Sequence, residues 1–178
     1  TFTPISSLSD AIRKQTIVIN GVSKTYAMTG WRVGYAVGEP EIISGMAKII
    51  SQTTSNLTAV SQYAAIEALT GDQSSIEEMR QAFEERLNTI YPLLAEVPGF
   101  EVIKPQGAFY LFPNVKKAME IKGYTDVNDF TNAILEEAEV ALVTGAGFGA
   151  PENIRFSYAT DLDTLKEAVR RIKAFMEK

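Results

Sequence analysis

Ser23, Lys24 and Arg32 bring a hydroxyl, an amine and a fixed guanidinium into one short stretch of the chain. The β-branched run Thr16-Ile17-Val18-Ile19, bounded by Asn20-Gly21, predicts a strand that ends in a tight turn. Arg32-Val33-Gly34-Tyr35-Ala36-Val37-Gly38 predicts a second strand, joined to the first by a polar loop over 21–30. If the second strand returns beside the first, Arg32 comes back near Ser23 and Lys24. Such a cluster suits a phosphorylated aldehyde. A lysine amine with a neutral fraction can form a Schiff base, and an arginine fork with a serine hydroxyl suits phosphate oxygens. On spacing alone, a solvated lysine and arginine beside a turn is the commoner case.

The rest of the composition narrows the alternatives. The 178 residues include no cysteine and no histidine. That excludes a disulfide framework, a thiolate nucleophile, a His-based triad and imidazole or thiolate metal sites, leaving only an all-oxygen metal site possible. No metal ligand is assigned. With 46% apolar and 22% charged residues, the chain has the material for a real core. Its 17 basic and 22 acidic side chains sum to −5, and a pI near 4.9 argues against nucleic acid or an anionic membrane as partner. No run approaches the ~18 apolar residues of a membrane span, and no signal-peptide layout opens the chain. A cytoplasmic location is the expectation. The chain starts at Thr1 rather than methionine, so a piece of a longer protein is expected.

Further elements follow from periodicity and caps. Pro40 opens a helix with Ile42, Met46, Ile49 and Ile50 on one face. An alanine-rich helix runs from about Thr58 to Leu69 and stops at Gly71-Asp72. Ser75 and Glu78 form a capping box for a long helix with Ile76, Met79, Phe83, Leu87, Ile90 and Leu94 inward. Two strands, 100–103 and 108–112, flank the Pro105-Gln106-Gly107 turn. Asp126 caps a helix, strands at 140–143 and 154–158 flank a glycine-rich loop, and Asp161 or Asp163 caps the last helix. The pattern divides near residue 72. Before it lies a thin α/β remnant (1–72), and after it a mixed α+β unit (73–178) of small-domain size.

The string Ser23-Lys24-Thr25-Tyr26-Ala27-Met28-Thr29-Gly30-Trp31-Arg32-Val33-Gly34-Tyr35 resembles the cofactor-attachment motif of class I pyridoxal-phosphate (PLP) aminotransferases, and most closely the aspartate aminotransferase branch. Downstream, Asn153-Ile154-Arg155-Phe156-Ser157-Tyr158-Ala159 resembles that family's C-terminal strand. The resemblance implies Lys24 as the Schiff-base and catalytic lysine, with Ser23 and Arg32 on the cofactor phosphate. It also implies Arg155 on the substrate α-carboxylate, where a bidentate guanidinium fits better than an ammonium. Pro105 to Phe112 resembles the hairpin that approaches the substrate. Phe109 and Tyr110 could line its entrance, but as core aromatics they are equally well explained. Gly145-Ala146-Gly147-Phe148-Gly149 fails as a dinucleotide loop, because its glycine spacing is wrong and Pro151 blocks the following helix.

The resemblance covers the chain as the C-terminal half of a fold type I PLP-dependent transferase, the end of the large domain plus the small domain. It implies a homodimeric aminotransferase that moves an amino group from aspartate to 2-oxoglutarate. The residues that stack on the pyridine ring and pair its nitrogen belong to the absent first half, so this piece alone is expected to be inactive. One departure stands inside the chain. One branch places an arginine in the segment matching Ser51–Gln62 to read the side-chain carboxylate, and no basic residue lies there. Rival readings are an aromatic aminotransferase, a C–S β-lyase, or the aminotransferase-like sensor domain of a transcriptional regulator.

Overall fold

A computed structural model describes residues 2–178. It divides into two compact units, one ending at Glu77 and one spanning Glu78–Lys178. Among the described residues no helix is long and apolar enough to cross a membrane.

In the first unit the short helix α1 (Asp10–Lys14) is capped by Ser9, whose Oγ accepts from the Ile12 N–H at 3.3 Å. Strands β1 (Val18–Gly21) and β2 (Gly34–Val37) form an antiparallel hairpin in which Val18 faces Val37 and Gly21 faces Gly34. Helix α2 (Pro40–Thr53) starts with Pro40 in its first turn, where a missing N–H costs no intrahelical bond. Helix α3 (Ala59–Thr70) ends at Gly71. Val22, Val33 and Ala65 are the unit's buried apolar residues, with Tyr26, Met28, Tyr35 and Leu57 packed against them. The expected inward face of α2 is not buried within this unit: Ile42, Ile49 and Ile50 are exposed. A two-stranded sheet has too little surface to cover an amphipathic helix.

The second unit holds the larger core. Helix α4 (Ser74–Ala95) runs into it from the unit boundary and buries Ile90 and Leu94. The helix does not use the Ser75–Glu78 box as its cap. The Asp72 carboxylate instead accepts from the Ser74 backbone N–H at 3.2 Å and from the Ser74 hydroxyl, and the helix already starts at Ser74. Strands β3 (Tyr110–Leu111), β4 (Val143–Thr144) and β5 (Ile154–Ser157) make an antiparallel sheet in the order β3-β5-β4. The strand expected over 100–103 reduces to one bridge, Glu101 to Asn114, and Ile103 points to solvent. Gly99 at φ +79° and Pro105 bound this segment and leave little room for a ladder.

Three further helices contribute to the same buried core as the sheet. Helix α5 (Lys116–Lys122), absent from the sequence reading, buries Ala118 and Met119 and ends in left-handed Gly123. Helices α6 (Val127–Ala138) and α7 (Leu162–Glu177) follow the capped pattern, with Asp126 and Asp161 as N-caps. Asp161 accepts from the Thr164 N–H at 2.8 Å, which decides between the two candidate caps.

The caps give this unit a pH dependence. Backbone N–H bonds from Asn128 and Asp129 hold Asp126 below the usual carboxylate range. The Thr164 hydroxyl and backbone N–H do the same for Asp161. Glu167, hydrogen-bonded by Arg170 and Arg171, is pulled down to about 2. Depressed carboxylates stabilise the fold above their unfolded pKa of about 4, because the unfolded chain binds the proton more readily. That contribution disappears as pH falls from about 5 toward 2. The thermal midpoint should therefore drop across this window, and the drop should be shallower in Glu167→Gln, measured by circular dichroism at fixed ionic strength.

Candidate active site

The β1–β2 register continues one step beyond the strands, where the Val22 N–H donates to the Val33 carbonyl at 3.3 Å. Ser23 and Arg32 are the next residues outward, one on each limb of the hairpin, and Lys24 follows Ser23 into the connecting loop. The expected strand over 32–38 is shorter than its sequence suggested. It starts at Gly34, and Arg32 sits in the left-handed region at φ 56° and ψ 48°.

The loop is built from turns. The Tyr26 N–H donates to Val22 at 3.2 Å, the Ala27 N–H to Lys24 at 3.3 Å, and a 3-10 turn spans Thr29–Trp31. Ala27 is also left-handed, at φ 52°. Two non-glycine residues in this region within six positions are costly, and such strain persists only where the surroundings impose it. The loop then folds Arg32 onto itself: its Nη1–H donates to the Thr29 carbonyl at 2.9 Å. Among the described residues no carboxylate pairs with Arg32, so its positive charge is not neutralised. Val22 and Val33 anchor both limbs from below, each buried.

The donor set fits the cofactor. One hairpin end offers a half-buried hydroxyl (Ser23), an exposed amine (Lys24) and a guanidinium with no acid partner (Arg32). That combination can take a phosphate and an aldehyde from the same small molecule.

Arg155 belongs to the second unit. It lies on β5, the central strand of the sheet, opposite Val143. Ile154 and Phe156 on either side of it point into the core, so strand alternation puts Arg155 on the other face. Its Cζ lies over the Tyr110 ring at 4.5 Å from the centroid and over the Phe148 ring at 5.0 Å. Close by, the turn over 105–108 is tied down by Tyr158: its hydroxyl donates to the Ala108 carbonyl at 3.0 Å and its N–H to Phe109 at 2.9 Å. Ala108 is left-handed there, at φ 60°. The contacts of Tyr110 and Phe148 with Arg155 were not read from the sequence. An aromatic inside a glycine-rich loop was the available signal, and without the fold it had no partner.

A family model described as aminotransferase class I and II matches residues 1–172, and the chain belongs to that family. Its relatives lie within a narrower group. The chain is 77% identical over 177 residues to an asparagine–oxo-acid transaminase of Streptococcus mutans, covering 99% of this chain and 45% of that one. It is 57% identical over 174 residues to an aspartate aminotransferase of Bacillus subtilis, covering 98% and 44%. Among solved structures, the aspartate aminotransferase from Rhizobium meliloti superposes with a TM-score of 0.88 at 37% identity, over 99% of this chain and 45% of that one. The chain thus has the mixed α/β architecture of a fold type I enzyme and spans about half the length of the curated relatives it matches. The family uses PLP.

Proposed function

We propose that the protein carrying this chain is a PLP-dependent aminotransferase that moves an amino group from aspartate, or its amide asparagine, to a 2-oxo acid such as 2-oxoglutarate. The observation that carries this reading is the hairpin end that brings Ser23, Lys24 and Arg32 to one place, with no carboxylate among the described residues pairing with Arg32. Residues 1–72 then belong to the large cofactor-binding domain and 73–178 to the small domain. A homodimer in the cytoplasm completes the proposal.

Each residue has a distinct task. Ser23 and Arg32 bind the phosphate, one by hydroxyl and one by charge. Lys24 would hold the cofactor covalently through its Nζ, and the same amine, when free, would take the proton from the substrate's α-carbon and deliver it to the cofactor. PLP, when bound, supplies the electron sink that makes that proton removable. Arg155 grips the α-carboxylate and so fixes which bond faces the lysine. Arg155→Lys keeps the charge but loses one charge-assisted hydrogen bond, about 1.5–3 kcal/mol. Substrate binding should weaken roughly tenfold to a hundredfold, read as KM for the amino donor.

Asparagine is retained beside aspartate for two reasons. The relative at 77% identity bears that name, and the segment over 51–62 has no cation for a side-chain carboxylate. An amide asks for none. The deciding assay measures oxo-acid production from aspartate, asparagine, tyrosine and cystathionine, with and without 2-oxoglutarate. Product formed from aspartate or asparagine only in the presence of acceptor supports the proposal. Pyruvate and ammonia released without acceptor would instead mark a lyase, and a preference for tyrosine an aromatic aminotransferase.

A further inference from the structure

Phe148 is an apolar side chain that serves no core. It is 56% exposed and lies outside the buried cluster of the second unit, although the loop that carries it is tightly made. The Gly145 N–H donates to Asn153 at 2.7 Å, the Phe148 N–H to Gly145 at 2.9 Å and the Ala150 N–H to Gly145 at 3.0 Å. A Cβ at Gly145 would collide with the backbone oxygens of Ala150 and Asn153, and Gly149 turns the chain at φ +72°. A closed loop therefore presents a large ring outward. What the ring meets is the guanidinium of Arg155, at 5.0 Å, and the edge of Phe112, at 6.2 Å.

Tyr110 meets the same guanidinium from β3. It pairs with Ser157 across the ladder, so it shares the outward face of the sheet with Arg155, and its ring lies 4.5 Å from Cζ. Phe109 in turn packs on Tyr110, with centroids 4.5 Å apart. Among the described residues no carboxylate pairs with Arg155. Ring faces attract the cation without competing for its N–H groups. An acid partner would occupy the edge a substrate carboxylate needs.

We propose that Tyr110 and Phe148 are positioning residues for Arg155: the two rings hold the guanidinium and leave its N–H edge open for the substrate carboxylate. This rests on the reading of Arg155 as the carboxylate-binding residue. Both rings act through Arg155 and neither touches the reacting atoms.

The test uses the full-length protein loaded with PLP. Phe148→Leu and Tyr110→Leu should each raise KM for the amino donor roughly twofold to thirtyfold, with kcat changed less than threefold, because affinity for the carboxylate is lost in ground and transition states alike. Binding of succinate, an unreactive dicarboxylate, should weaken by the same factor. Phe148→Tyr and Tyr110→Phe, which keep the rings, should restore affinity. A primary amine lacking the α-carboxylate reports what a merely structural role would change: its slow half-reaction should be altered by less than twofold in the leucine variants. In an Arg155→Ala background the leucine substitutions should add nothing further. If Arg155→Ala raises KM and the leucine variants do not, the positioning role is wrong while the carboxylate reading stands. If Arg155→Ala leaves KM unchanged, both are wrong. Equal loss of rate with the carboxylate-free amine would reduce the rings to structural supports.

Discussion

Lys24→Ala in the full-length, PLP-reconstituted protein is expected to abolish both the visible absorbance band and measurable transamination. The chain has no histidine or cysteine, so within it no other side chain beside Ser23 and Arg32 can serve as both nucleophile and proton carrier. Proton transfer by a positioned base alone contributes roughly 10²–10⁴-fold, and loss of the covalent attachment adds to that. Lys24→Arg should fail as well, because a guanidinium stays protonated and cannot take the proton. Ser23→Ala should behave differently. It removes one phosphate hydrogen bond, weakens PLP affinity modestly, and leaves turnover at saturating cofactor. A full-strength absorbance band and rate in Lys24→Ala would falsify the assignment.

The hairpin was legible from the β-branched run and the Ser-Lys…Gly-x-Arg string, whereas the tight turn expected at Asn20-Gly21 does not form: both residues lie within β1, paired with Tyr35 and Gly34. Its geometry was less so. Sequence placed Arg32 inside a strand, whereas it turns left-handed just before β2 and folds back on the Thr29 carbonyl. Propensity cannot foresee a strained φ that tertiary context imposes. The second unit shows the same division. Asp126 and Asp161 were readable as caps because a short acceptor before an apolar periodic run has one physical use. Helix α5 was missed because it is only seven residues long and buries only Ala118 and Met119, too few to establish a period. Asn114, whose side chain accepts from the Lys116 N–H at 3.0 Å, and left-handed Gly123 were its available markers. Arg155 could be assigned to a strand from its neighbours. The rings over it come from segments about 45 and 7 residues upstream, a pairing that only the sheet order β3-β5-β4 and the 145–149 loop bring about.

Phe130→Ala is expected to cost the second unit about 3–5 kcal/mol. Phe130 is fully buried on α6, with the Tyr124 ring 5.7 Å and the Phe175 ring 6.0 Å away. Those neighbours come from the loop after α5 and from α7, so the ring joins three segments. Truncation to a methyl opens a void that they cannot close together, because each is fixed elsewhere: α7 by Leu165, Val169 and Ile172, and α6 by its Asp126 cap. Against a typical stability of about 5–15 kcal/mol, such a loss takes a large share. It should also reach the candidate site through packing, since α6 lies against β4, the strand that pairs with β5 beside Arg155. Urea titration followed by circular dichroism should show a much lower midpoint for the variant. Emission from Trp31, the single tryptophan, follows the first unit separately. Ile103→Ala is the matched control: Ile103 is 88% exposed, and its removal should change stability by no more than about 0.5 kcal/mol. Equal midpoints for the two variants would mean that the Tyr124–Phe130–Phe175 cluster does not hold these helices together.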